Sequence, residues 1–140
     1  MKRVAASFMC GAVAAALVAA GSPTLHAHHA FAAEFDARKE VTLKGAVTRV
    51  EWVNPHVWIH VDVKKPDGKI ESWAIEAGTP NVLFRRGVTK QSLKAGTEVV
   101  IDGYQAKDGS HRANGREVRM ADGSKLFLGG SGTGAPYEIK

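Results

Sequence analysis

His56-Val57-Trp58-Ile59-His60-Val61-Asp62-Val63-Lys64-Lys65-Pro66-Asp67-Gly68-Lys69-Ile70-Glu71-Ser72-Trp73-Ala74-Ile75-Glu76 is the stretch on which the fold turns. From His56 to Lys64 the residues alternate, which predicts a strand with Val57, Ile59, Val61 and Val63 on a core face. His56, Trp58, His60 and Asp62 lie on the outer face. Pro66-Asp67-Gly68 suits a three-residue turn with Gly68 in the left-handed position, pairing Lys65 with Lys69. That register sets Val61 opposite Trp73 and Ile59 opposite Ile75. A two-residue turn would set Ile59 opposite Glu76, so hydrophobic matching and turn chemistry select the same hairpin.

Two more Asp-Gly pairs, Asp108-Gly109 and Asp122-Gly123, mark further hairpins. Upstream, Val41 to Val53 reads as a first strand: Val41, Leu43, Gly45 and Val47 share a face. The phase then shifts to Val50 and Trp52, which predicts a bulge between Gly45 and Arg49 that curls the strand. Asn54-Pro55 ends it. Downstream of Glu76, Thr79 as N-cap, Pro80 at the first helical position and Gly87 as the stop predict one short helix. Thr89 suits a cap for one further turn through Leu93. Strands follow at Thr97 to Ala106, Asn114 to Ala121 and Lys125 to Leu128. The prediction is an all-β chain with small α content: a five-stranded OB-like antiparallel barrel with one short helix between strands 3 and 4. An open antiparallel sheet or small sandwich is the rival reading.

The 140 residues, 44% hydrophobic and 24% charged, suit one globular domain. Lys2-Arg3, the apolar run Val4 to Ala20 and Gly21-Ser22-Pro23 have the layout of a secretory signal, with Ala27 the preferred cleavage position and Ala20 a rival. The organisation expected is therefore a signal peptide over 1–27, an N-terminal arm over 28–40, the barrel over 41–128 and a flexible Gly-rich tail over 129–140. The run is too short to span a membrane, so no transmembrane segment remains after cleavage. The destination is periplasmic or extracellular. The lone cysteine, Cys10, falls within the signal, which excludes disulfides and cysteine metal sites from the mature chain. Removing Lys2 and Arg3 leaves 17 basic and 14 acidic residues, a net charge of +3, too little for a nucleic-acid surface.

The segments His28-His29-Ala30-Phe31, Val47-Thr48-Arg49-Val50-Glu51-Trp52-Val53-Asn54-Pro55-His56-Val57-Trp58, Leu83-Phe84-Arg85-Arg86-Gly87 and Gly103-Tyr104-Gln105-Ala106-Lys107-Asp108-Gly109-Ser110 together resemble a bacterial family of small exported proteins of unknown function. The resemblance covers nearly the whole mature chain, with Trp52 to Trp58 its most specific part and Ala30 a departure where a serine is expected. It implies export and the barrel fold, and no activity.

The chemistry-bearing residues are the histidines. Cleavage after Ala27 would leave His28 at the terminus, where its amine and imidazole chelate copper or nickel better than calcium or magnesium. His29 or His56 would complete such a Cu(II) site. His56 and His60, four strand positions apart, are separated by ~13 Å and cannot share an ion. The arm His28 to Glu40 could reach ~40 Å extended, enough to meet either. The plainer readings are that His28 and His29 are an incidental terminus, that His56 satisfies backbone groups at a turn, and that His60 and His111 are solvated. Trp58, His60, Asp62 and Glu76 form the other candidate seat, for an unidentified small ligand, with Trp58 as platform or as a residue covered by the arm. Trp73 reads as core, Phe31 and Phe35 as anchors of the arm, and Arg85-Arg86 as partners of the helix dipole or an anion site. No nucleophile elbow, phosphate loop or selected carboxylate pair appears, so no enzyme is expected. The reading is an exported non-catalytic binding module, with a transition-metal protein and an envelope interaction protein as alternatives.

Overall fold

The computed structural model describes residues 31–130 and 132–138. The expected signal segment, and His28 and His29 with it, lie outside that range. The elements run α1 (Phe31–Glu34), β1 (Phe35–Glu51), β2 (Trp58–Lys64), β3 (Ile70–Glu76), α2 (Pro80–Arg85), β4 (Glu98–Ala106), β5 (Arg112–Met120) and β6 (Lys125–Phe127), ending in a 3-10 turn at Pro136–Glu138. β1 pairs with both β2 and β4, β2 with β3, and β4 with β5. A short parallel pairing of β3 with β5 closes the ring. This is the OB-like arrangement, with β6 added at the outer edge of β5 and the parallel pair as the one exception to antiparallel order.

The β2–β3 hairpin has the expected register, Ile59 opposite Ile75 and Val61 opposite Trp73, closed by Lys65 N–H to the Lys69 carbonyl at 2.8 Å. All three Asp-Gly turns are built alike. The glycine has φ near +80°, and the aspartate Oδ1 accepts from the amide two residues on at 2.8–3.0 Å.

β1 is 17 residues long because it serves two partners, β4 up to Ala46 and β2 from Ala46 onward. The expected bulge falls between Val47 and Arg49. Just before it Gly45 crosses β2 so closely that a Cβ there would sit 2.2 Å from the Asp62 carbonyl oxygen. The bulge turns the strand, and the missing side chain lets it pass.

Three strands start two residues or more away from expectation. β1 begins at Phe35, so half of the expected arm is strand; β2 begins two residues later than His56; β5 begins two residues earlier than Asn114. The first and the last follow from a pairing with a distant partner: Phe35 opposite Ala106, and Arg112 opposite Ala74.

Thr79 caps α2, its Oγ1 accepting from Val82 N at 3.2 Å, and Gly87 ends it at φ +83°. The helix sends Leu83, wholly buried, into the ring with Ile59, Ile75, Val47, Ile101 and Val118. A second, smaller cluster joins Phe31, Phe35, Tyr104, Ala106 and Ala135 on the outside of the ring. There Phe31 meets Tyr104 edge-on at 5.3 Å. Mobility was expected of the tail, yet its described residues are held: Thr133 and Ala135 are buried, Phe31 N donates to the Thr133 carbonyl at 2.8 Å, and Glu138 accepts from Thr133 and Gly134. Ala135 and Tyr137 find apolar partners on the arm and on β4, which glycine content alone does not reveal.

Candidate functional site

Paired residues of neighbouring strands face the same side. Trp58 pairs with Glu76, Glu76 with Asn114, and Ala74 with Arg112, so the outer face of β2, β3 and β5 gathers Trp58, Glu76, Asn114 and Arg112. His56, two residues before Trp58, joins the same face. α1 and the 3-10 turn cover it: Glu34 Oε2 accepts from Arg112 Nη2 at 2.9 Å, and Tyr137 Oη donates to Asn114 Oδ1 at 2.8 Å. The Arg112 guanidinium lies 5.4 Å from the Trp58 ring centre.

Under this cover sits a buried histidine and carboxylate. His56 is 5% exposed and Glu76 5%. His56 Nδ1 lies 3.2 Å from the Ala77 carbonyl and 3.9 Å from Glu76 Oε1. Since a carbonyl can only accept, Nδ1 carries a proton and donates. Nε2 is buried and has no hydrogen-bond partner among the described residues. Asn114 Nδ2 donates to Glu76 Oε1 at 3.4 Å. Burial pushes the Glu76 carboxyl above its ordinary range, and Glu34 adds to the rise, while His56, Asn114 and Arg112 oppose it. Burial likewise raises the Tyr137 hydroxyl.

The four residues read as one ligand seat do not converge. Only Trp58 and Glu76 share the covered site. His60 leans toward β1, with Nε2 3.2 Å from Glu51 Oε1, and Glu51 also binds Arg49 at 2.8 Å. Desolvation and the Arg49 charge lower the His60 pKa, and Glu51 pulls it back. Asp62 accepts from Ser72 Oγ at 2.6 Å. His56 is on the outer face as expected and makes the backbone contact expected of a turn histidine. It is nevertheless buried, because α1 and the 3-10 turn cover that face.

Trp73 is core, and His111 stacks on it at 4.9 Å. Arg86 donates to the Gly129 carbonyl and lies 4.6 Å over the Phe127 ring, so it ties α2 to the tail.

Asn114, Arg112, Glu34 and Tyr137 escaped the sequence reading. Asn114 and Arg112 stand on a strand whose start depends on β3. For Tyr137 a signal existed: it is the one aromatic residue of the Gly-rich tail over 129–140, where a purely mobile segment has no use for one. Among the described residues no three His, Cys, Asp or Glu side chains are grouped to hold a metal ion.

Fold and site together define a small OB-like ring protein with a polar seat covered by α1 and the 3-10 turn. The model of a family of unknown function, DUF6152, matches residues 14–115, and the chain belongs to that family. No curated protein and no solved structure matches the chain.

Proposed function

We propose that this protein is an exported, non-catalytic binding module whose ligand seat is the covered outer face around His56. Export is supported by the basic start, apolar run and small residues of positions 1–27. The observation that carries the seat is the His56 imidazole: nine-tenths buried, held on one nitrogen, and without a partner on the other. Buried polar atoms are nearly always paired, so an orphaned one calls for an explanation, a bound water or ion among them. Trp58 and Arg112 at the rim supply a ring and a cation beside it.

Mass measurement of the secreted protein tests export, with His28 the expected first residue. For the seat, the 15N-labelled processed protein is titrated with Zn(II), with chitooligosaccharides and with a short oligonucleotide while amide shifts are followed. Shifts at His56, Trp58, Glu76 and Arg112 with any one probe support the seat. Shifts confined elsewhere, or none with all three, overturn it.

One observation favours the alternative of an envelope interaction protein. Phe84 is 70% exposed and flanks a groove of about 380 Å³ with Trp52, Pro80 and Asn81. An exposed aromatic beside an apolar groove is a surface on which a partner protein can dock. Shifts at Phe84 and Trp52 on adding envelope protein, with none at His56, would favour that reading.

A further inference from the structure

We infer that the pole of the ring built by Trp52, Val53 and the connection from β3 to β4 docks on an anionic phospholipid surface. This pole is separate from the seat around His56, and neither depends on the other.

Charge is the first argument. From Ala77 to Thr97, 21 residues carry Arg85, Arg86, Lys90 and Lys94 and no aspartate or glutamate. The fold turns these cations outward. Leu83, Val88 and Leu93 are buried and pin the connection to the core, so Phe84, Arg85, Lys90 and Lys94 stand exposed. Arg86 is engaged with the Gly129 carbonyl and the Phe127 ring. Among the described residues, Arg85, Lys90 and Lys94 join no ion pair. The acid that precedes Trp52, Glu51, is already held by Arg49 at 2.8 Å and by His60 at 3.2 Å. Three cations on this pole are therefore left without a counter-charge.

The apolar side chains among them are the second argument. Phe84 is 70% exposed and Val53 48%, and Lys90 lines the same groove as Phe84 and the half-buried Trp52. Aromatic and aliphatic side chains beside uncompensated cations suit the boundary of an anionic bilayer, where the rings enter the headgroup layer and the cations meet phosphates. A partner protein would also meet Phe84. A stable protein interface, however, takes about 800 Å² and some 20–30 residues from each side, and the groove with the exposed side chains beside it falls well short of that. A second copy of the chain would set cation against cation across a two-fold axis. A bilayer asks for less: each Lys or Arg near an anionic surface contributes about fivefold in affinity, so a few side chains suffice.

The processed chain beginning at His28 is added to vesicles of phosphatidylglycerol and phosphatidylcholine in equal parts, to vesicles of phosphatidylcholine alone, and to poly-L-glutamate. Cosedimentation and tryptophan emission are the readouts. Binding to the anionic vesicles should be at least ~10-fold tighter than to phosphatidylcholine alone and should weaken with salt. Emission should shift to the blue as Trp52 enters the headgroup layer. Lys90→Glu reverses one charge and should weaken binding ~30-fold, and Phe84→Ser should weaken it ~10-fold. Lys69→Glu makes the same charge change at the turn on the other end of β2, and should cost less than ~3-fold. Trp52→Phe should still bind but lose the blue shift, because Trp73 is buried and Trp58 lies beside Arg112 at the covered seat. Circular dichroism confirms that each variant is folded. No preference for the anionic vesicles, a Lys90→Glu loss no greater than that of Lys69→Glu, undiminished binding by Phe84→Ser, or a blue shift kept in Trp52→Phe overturns the inference. Binding to poly-L-glutamate with none to the vesicles overturns it in favour of an acidic partner protein.

Discussion

The inside and the covered outside of the ring are both buried, but for different reasons. Inside, Val47, Ile59, Val61, Ile75, Ile101 and Val118 follow the two-residue period of their strands, and each strand announces its own contribution. Outside, Phe31, Phe35 and Tyr104 meet Ala135, while His56, Glu76, Asn114 and Tyr137 form a polar chain. Nothing in the period of β2 or β3 marks that face as buried. It is buried because α1 and the tail lie across it. A sheet face that would be solvated in an open hairpin therefore became the place where a histidine nitrogen is withheld from water.

The largest blow to the inner region should come from Ile59→Ala. The side chain is fully buried, and losing it should cost ~2 to 5 kcal/mol, read as a lower urea midpoint at unchanged slope. A loss as small as that of an outer-face residue would break the distinction between the two faces. Gly45→Ala attacks the curl of the ring. Its Cβ would meet the Asp62 backbone, which cannot swing aside as a side chain can, so a loss of ~1 to 3 kcal/mol or more is expected. A neutral result would show that β1 can pass β2 without the glycine.

Glu76→Gln probes the covered outer face. The folded state raises the carboxyl's pKa, so Glu76's contribution is fully present below about pH 4.5 and is lost as pH rises through the folded-state value. The amide has no proton to lose. The variant should therefore gain on the order of 1 kcal/mol at pH 7 and converge with the parent near pH 4. Parallel pH profiles would mean that the site is open to water.

His60→Ala should have the smallest effect, below ~1 kcal/mol, because its ion pair with Glu51 is partly exposed. Its sign with pH is opposite to that of Glu76. A histidine with a lowered pKa contributes stability above about pH 6.5 that is lost as pH falls through the folded-state value. The variant should lack that acid-side decline. Equal losses for His60→Ala and Ile59→Ala would reverse the assignment of β2's faces.

Most of the ring was legible in the chain itself. Strand alternation, three Asp-Gly turns, the Thr79-Pro80 cap and the phase slip near Gly45 are local features, each set by backbone sterics or hydrogen bonds within a few residues, and they determined the hairpin register, α2 and the bulge. Histidine and tryptophan were also recognisable as chemistry-bearing, but their grouping was not. Trp58, His60, Asp62 and Glu76 alternate on one hairpin, yet His60 and Asp62 turn to their neighbours Glu51 and Ser72, while Glu76 turns to His56 and Asn114. Only the tertiary structure decided that, through the parallel β3–β5 pairing and the packing of Phe31 and Tyr137 over the sheet. The Glu34–Arg112 bond joins residues 78 positions apart. Contacts at that separation depend on how the ring closes and which face the ends of the chain cover, and no local pattern of residue types encodes that choice.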